Sequence, residues 1–408
     1  MSDPGGSSPE RRQRRRNEAP PDPEAAAISV AKVFGNRDLL GEILLRVDSP
    51  TWLVRAAVAS KCFLRVASDP AFLDGFRARH PPRILGLSVI GIRSSPRLLP
   101  FPQPPELAAA ARFAGRALRY LGRDDRCSDY CNGRLLVEMT GNKDWLRYDV
   151  SSLYHVGRHG ILPPPPPLGS GDEEPGLLYS HRLFLFEDDA TSCLSLSMAC
   201  DTETVCANFS ILRDGVWGFQ QSAVRELQQD PYQTVLGHKL LSGGKVYMMT
   251  TAGCILALDL ATATFSALEL PDGAEQSASL RLSRAQQSGF YLIYTTGLRL
   301  HVWHCNGTGQ WVLVDTISVY QACANLSVQK WVPDDEYTSP VCIVGVGDNA
   351  EFVILELVAS GIVCCMQRDN RVVEKVAEGL MQTCGPSARP ITMVWPPFLP
   401  VPKEDNDL

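Results

Sequence analysis

The chain has no run of 18 uninterrupted apolar residues, and that argues against a membrane-spanning helix. The best candidate, Val341 to Met366, is broken by Asp348, Asn349, Glu351 and Glu356. The first 27 residues contain no apolar stretch of the kind a secretory leader needs, so the expected compartment is the cytoplasm or nucleus. Cys-x-x-Cys pairs are missing too. Thirteen cysteines are an odd number with irregular spacing. Neither Cys127/Cys131 nor Cys364-Cys365 has the spacing of a disulfide framework or a zinc site. They read as small core hydrophobes. In such a compartment the sequons at Asn208, Asn306 and Asn325 are chance matches.

An excess of positive charge is also lacking. Lys plus Arg number 39 and Asp plus Glu 45, for a formal charge of −6. Residues 1–82 hold 13 basic and 10 acidic side chains, which leaves the remainder at −9. That balance excludes a broad phosphate-binding surface, so neither nucleic acid nor an anionic membrane is an expected partner.

Catalytic signatures are equally absent: there is no Gly-x-Ser-x-Gly, no P-loop and no His-Glu-x-x-His. Gly345-Val346-Gly347-Asp348-Asn349-Ala350 matches Gly-x-Gly-x-x-Ala, but a dinucleotide site needs a helix next. Glu351 to Leu357 is aromatic and β-branched instead, so it reads as a returning strand, with Gly347-Asp348-Asn349 as the turn. His155 and His159 sit among glycines, where a helical metal face does not form. His301 and His304 fall on opposite faces of a strand, with Cys305 beside them. The expectation is therefore no enzyme, no cofactor and no metal.

With 408 residues, 45% of them hydrophobic and 21% charged, the chain has room for more than one globular domain. Residues 1–33 are rich in Pro, Gly, Ser, Glu and Arg and read as a disordered arm. Its run Arg11 to Arg16 has the composition of a nuclear localisation signal. From Asp38 to about His80 the pattern is helical. Leu39, Leu40, Ile43, Leu44 and Val47 form one apolar stripe. Ser49-Pro50 opens a second helix carrying Trp52, Leu53, Ala56 and Ala57. A third runs roughly from Ser60 to Ser68, and Asp69-Pro70 starts a fourth with Phe72, Leu73 and Phe76. Four such short helices cannot bury all their apolar surface by themselves, so the module needs a partner.

After Pro82 the period changes to that of short strands. Arg134–Thr140, Arg182–Glu187, Lys245–Thr250, Phe290–Thr295 and Val341–Val346 look equivalent, their starts 48, 63, 45 and 51 residues apart. The clearest copy, Gly243 to Gly273, reads strand, turn, strand, turn, strand. This weak repeat predicts a β-propeller of about six blades, at roughly 45–50 residues each. Pro105–Leu121 is a helical exception, a crossing helix or an insertion in the first blade. Pro163–Pro167 reads as a stiff inter-blade loop, since it lacks the flanking basic residue of an SH3-type ligand. Trp217, Trp303, Trp311 and Trp331 read as blade-packing residues. The acidic triplets at 172–174, 187–189 and 334–336 read as solvated loops.

Asp38 to Pro82 resembles the F-box of the large plant F-box protein families. It shares the Asp-Leu-Leu-x-Glu-Ile-Leu-Leu-Arg start, the Ser-Pro hinge, Leu-Val-Arg-Ala in the second helix, and Ser-Asp-Pro-x-Phe-Leu before Phe-Arg-x-Arg-His-Pro-Pro. Two positions depart from the family. The usual Leu-Pro before the first helix gives way to Gly35-Asn36, with Phe34 as the apolar substitute. Where Val-Cys-Lys-Arg-Trp is common, this chain has Ala59-Ser60-Lys61-Cys62-Phe63. The remainder is similar to the kelch-like or F-box-associated propellers attached to many F-boxes, with Gly243-Gly244 in the place of the kelch double glycine.

The resemblance implies an α+β multidomain protein: an all-α F-box at 34–82, a propeller at 83–400 and an acidic tail at 401–408. It implies a substrate-recognition subunit of an SCF-type cullin–RING ubiquitin ligase. The F-box would dock on a Skp-type adaptor, and through it a cullin, while the propeller holds an unknown protein substrate. The adaptor-binding residues it implies are Leu39, Leu40, Ile43, Leu44, Val47, Pro50, Leu53, Val58, Lys61 and Phe63, some of which must form the module's own core. The alternative is a non-ligase propeller scaffold with a degenerate F-box.

Overall fold

The computed structural model describes residues 32–47, 50–80, 83–89, 97–102, 105–119, 126–131, 134–140, 146–152, 159–166, 178–186, 192–200, 203–226, 235–250, 253–274, 279–285, 289–379 and 388–393. Two compact units result: Met1–Pro82 with Val394–Leu408, and Arg83–Met393. The Arg11–Arg16 run, the acidic triplets at 172–174 and 187–189, and the 401–408 tail lie outside the described residues. Within the stretch read as a disordered arm, a helical turn already begins at Lys32.

The first unit has four helices, α1 (Arg37–Leu45), α2 (Pro50–Ala59), α3 (Lys61–Ala67) and α4 (Pro70–Arg79). The starts of α1, α3 and α4 are set by short polar side chains that satisfy otherwise unpaired N–H groups, while Ser49, read as the cap of α2, lies outside the described residues. The Asn36 carboxamide oxygen accepts from the backbone N–H of Asp38 and Leu39 at 3.0 and 3.1 Å. Ser60 accepts from Cys62 N–H at 3.3 Å, and Asp69 from Ala71 N–H at 2.9 Å. Leu40, Leu44, Leu53, Ala57, Val66, Ala67 and Phe76 make the core. Arg37 pairs with Asp69, and Arg79 donates to the Leu45 carbonyl at 3.1 Å, so α4 is tied to both ends of α1.

The second unit is a β-propeller. It opens with β1 (Arg83–Val89) and β2 (Arg97–Pro100), then α5 (Pro105–Arg119). Blade 1 follows, with β3 (Arg126–Cys131), β4 (Arg134–Thr140), β5 (Leu146–Ser152) and β6 (His159–Ile161). Blade 2 has five strands, β7 (Leu178–Leu185), β8 (Cys193–Cys200), β9 (Thr204–Arg213), β10 (Val216–Trp217) and β11 (Gln221–Glu226). Blade 3 is β12 (Val235–Ser242), β13 (Lys245–Thr250), β14 (Cys254–Asp259) and β15 (Thr264–Glu269). Blade 4 is β16 (Leu280–Arg284), β17 (Phe290–Thr296), β18 (Arg299–Cys305) and β19 (Trp311–Ser318). A short helix, α6 (Val319–Ala322), leads to blade 5: β20 (Val341–Val346), β21 (Phe352–Leu357), β22 (Ile362–Gln367) and β23 (Val373–Glu378). The last strand is β24 (Ala388–Met393).

The expectation of about six blades is not matched: five sheets have four or five strands. The remaining sheet has three, in the order β2-β1-β24, and joins the first strands of the unit to its last. Pairing the first and last strands of this unit closes the ring and leaves only the short outer edges of the sheets. The expected equivalence of five strands also fails. β7 and β20 are the innermost strands of their blades, whereas β4, β13 and β17 are second strands. Inner and second strands of a propeller are both continuous apolar runs, so the hydrophobic pattern alone cannot tell them apart.

Hydrophobic seams and directed hydrogen bonds join neighbouring sheets. Ser283 donates to the Gly347 carbonyl at 2.6 Å and accepts from Ala350 N–H at 3.1 Å, tying blade 4 to blade 5. Trp311 Nε1 donates to the Glu269 carbonyl at 2.8 Å, across blades 4 and 3. Trp217 Nε1 reaches the Pro163 carbonyl at 3.0 Å, across blades 2 and 1, so the Pro run anchors a seam. Tyr130 donates to the Thr392 carbonyl, linking blade 1 to the closing sheet. The four tryptophans all pack against blade cores. The helix read at Pro105–Leu121 ends at Arg119 and follows the closing sheet's β2, so it is not an insertion within a blade.

Two turns show why their residues are needed. Gly243 and Gly244, at φ +56° and +72°, form the two-residue loop between Ser242 and Lys245. Only glycine adopts that pair of angles without cost. After β20, Asp348–Ala350 forms a single 3₁₀ turn, and Phe352 begins the returning strand.

Candidate partner-binding face of the helical unit

On α1, residues four apart share a face. Leu40 and Leu44 take the inward face and are 2% and 3% exposed, while Leu39 and Ile43 take the outward face at 49% and 50%. The single stripe read from the sequence is therefore two stripes with opposite uses. On α2, Leu53 is fully buried, and Val58 is 82% exposed. On α3, Lys61 is exposed and Phe63 half-buried, and Val47 beyond α1 is half-buried against the same core. Pro50 is the first residue of α2, with its side chain outside the described residues.

Of the ten residues the resemblance implies, Leu40, Leu44 and Leu53 are interior. They hold the unit together and present no surface, because a unit this small spends its longest apolar side chains on its own core. Leu39, Ile43, Val58 and Lys61 remain as the outward set. Periodicity missed two neighbours. Trp52 is 59% exposed, with the Arg55 guanidinium 4.9 Å from its ring centroid. Phe34 is also exposed and meets Phe63 edge-on at 5.4 Å between centroids. The apolar substitute before the first helix thus has a packing partner of its own. Adjacent Trp52 and Leu53 look alike to a hydropathy pattern, and only the helix phase separates them.

What this face can do is bury apolar surface. Covering one Leu, Ile or Val side chain contributes about 1.5–3 kcal/mol. Residues 32–80 carry eight Lys or Arg and five Asp or Glu, so an acidic partner is electrostatically favoured. The Glu42–Arg46 pair at 3.8 Å is solvent-exposed and contributes little. Among the described residues, no group of three or more His, Cys, Asp or Glu could hold a metal ion. His301 is hydrogen-bonded to Thr296 Oγ1 at 2.7 Å and stacks on Tyr294, whereas His304 lies against Tyr291. No helix among the described residues is long and apolar enough to cross a membrane.

Residues 126–399 match the family described as "F-box protein AT5G49610-like, beta-propeller". The match begins at the first residue of blade 1. No curated protein matches the chain. Among solved structures, the Cps50 (Swd1) beta-propeller domain of Myceliophteria thermophila is 10% identical, covering 62% of this chain and 72% of that one, with a TM-score of 0.33. The Vanderwaltozyma polyspora Nup133 beta-propeller domain is 11% identical over 62% and 66%, with a TM-score of 0.34. YCF48 bound to D1 peptide is 10% identical over 72% and 81%, also at 0.34. Likeness at that level carries no argument about this chain.

Proposed function

The chain belongs to the F-box protein AT5G49610-like beta-propeller family, and on that premise we propose that it is the substrate-recognition subunit of an SCF-type cullin–RING ubiquitin ligase. In this reading the helical unit docks on a Skp-type adaptor, which connects it to a cullin, and the propeller holds a protein substrate for ubiquitination. The role is one of positioning, with no reaction carried out by this chain. The observation that carries it is the outward set Leu39, Ile43 and Val58 on helices whose inward set, Leu40, Leu44 and Leu53, already fills the core. The F-box-like order of residues in Asp38–Pro82 supports the same reading.

The test is capture of the full chain by a purified Skp-type adaptor. Leu39→Asp with Ile43→Asp should lower affinity at least 100-fold, since two apolar contacts become buried carboxylates. Val224→Asp, on an exposed position of the propeller, should leave capture unchanged. Equal recovery of the double variant, or no recovery of the wild type, sinks the proposal. Adaptor capture without cullin recruitment points instead to a scaffold outside the ligase.

A further inference from the structure

In the three-stranded closing sheet a helix stands where the other sheets have an outer strand. β2 is the outermost of its strands, and α5 packs against β2 with Gly115 facing Leu98. Ala111, Ala114 and Leu118 are buried on the sheet side of this helix. Arg112, Arg116 and Arg119 are exposed on the other. At about 100° and 1.5 Å per residue, the three arginines fall within about 60° of one another, on a ridge roughly 10 Å long.

The ridge has no counter-charge of its own. Residues 107–123 hold four arginines and no Asp or Glu, although residues 83–408 as a whole stand at −9. Elsewhere on the surface, cations have carboxylate partners: Arg46 has Glu42, Lys330 has Asp334 and Arg371 has Asp315. Among the described residues, none of the three ridge arginines has one. The helix dipole favours cations in the last turn, which accounts for Arg116 and Arg119 but not for Arg112. Like charges three and four residues apart destabilise a helix, so the trio works against the element that carries it.

We infer that Arg112, Arg116 and Arg119 form a docking ridge on the outer rim of the propeller for an acidic segment of a partner protein. Each guanidinium can donate two parallel hydrogen bonds to one carboxylate. A partner helix with Glu at i, i+4 and i+7 presents three carboxylates at the matching spacing. An anionic membrane fits less well, because the apolar side of α5 is already buried on the sheet and cannot enter lipid. A nucleic acid extends beyond so short a ridge, onto a unit that is negative overall and repels it. The ridge lies on the propeller unit and does not depend on the adaptor docking proposed above.

The full chain is titrated at low salt with a fluorescein-labelled alanine-based helical peptide carrying Glu at i, i+4 and i+7, and with the same peptide carrying Gln. The wild type should bind the Glu peptide about 10-fold more tightly than the Gln peptide, as three exposed charge pairs allow. Arg112→Gln with Arg116→Gln and Arg119→Gln should abolish that preference. Arg213→Gln with Arg299→Gln and Lys375→Gln removes the same charge from exposed positions elsewhere, and should keep the preference within about threefold of wild type. Glu at all three ridge positions should raise affinity for a Lys-bearing version of the peptide about 10-fold over wild type. Unchanged far-ultraviolet dichroism shows that the variants are folded. No preference for the Glu peptide in the wild type, equal losses in the two Gln variants, or no gain in the charge-reversed protein overturns the ridge. Tighter binding of oligouridylate or of phosphatidylserine vesicles through the same arginines overturns its assignment to a protein segment.

Discussion

In the helical unit the core cluster is Leu40, Leu44, Leu53, Ala57, Val66, Ala67 and Phe76, and the buried Ser68 bonds within its own helix, its hydroxyl donating to the Leu64 carbonyl at 2.6 Å. The seam between blades 4 and 5 is just as rich in Ile, Val and Leu, yet it carries buried hydroxyls as well. Ser279, Ser283 and Thr295 are 3%, 2% and 2% exposed, and each bonds the backbone of blade 5. Apolar contact is non-directional, whereas a buried hydrogen bond fixes register and is costly to break. The propeller thus has seams locked in one alignment. The helical unit keeps its directed side-chain bonds at its helix ends and leaves oily side chains outside, an arrangement suited to a surface that another protein covers.

The hardest blow to this contrast comes at the inside of the helical unit. Phe76→Ala should destabilise that unit by about 3–5 kcal/mol, since a fully buried aromatic leaves a cavity. Ile43→Ala, half-exposed on α1, should cost less than about 1 kcal/mol. Urea unfolding followed by helical dichroism reads both. Equal losses mean that Ile43 belongs to the core, and the division between holding and docking residues fails.

A second test addresses the propeller, where a seam-side loop carries a carboxylate. Glu351 follows the 3₁₀ turn, half-buried, with Asn349 Nδ2 3.5 Å from its Oε1. Burial is the main cause that lifts it to about 7. A raised carboxyl contributes stability that is full below the unfolded value, near 4.5, and is lost as pH rises through about 7. Between those limits the wild type should lose about 2–3 kcal/mol, at ~1.4 kcal/mol per unit less some solvent relief. Glu351→Gln should abolish that slope and raise the urea midpoint at pH 8 while leaving it nearly unchanged at pH 4. A wild-type midpoint that is flat from pH 4 to 8 contradicts the assignment.

Local signals were the legible part of this molecule. Ser60 and Asp69 as helix starts and the returning strand after Gly347 each depend on residues within a few positions, and they stand where the sequence puts them. Phase and order were not legible. Leu39 and Leu40 are identical in composition and opposite in use, because a neighbour 100° round the helix faces the other way. β7 and β13 read alike as apolar strands, yet one is innermost and the other second. The closing sheet escaped as well, since β1 and β24 are about 300 residues apart along a chain whose repeats are weak.

The finest test asks whether the hydroxyls fix the blades or merely fit between them. Ser283→Ala removes the bonds to the Gly347 carbonyl at 2.6 Å and from Ala350 N–H at 3.1 Å. Both backbone groups belong to buried residues, so they lose a partner that water cannot readily replace. A loss of about 1–2 kcal/mol is expected, seen as a lower urea midpoint for the propeller. Thr262→Ala breaks a contact of similar length, Thr262 Oγ1 to Thr264 Oγ1 at 2.7 Å, but on an exposed turn, and should cost under about 0.5 kcal/mol. If the two substitutions prove equal, the buried hydroxyl has no special hold on the seam. The blades would then be packed by the same non-directional contact as the helices.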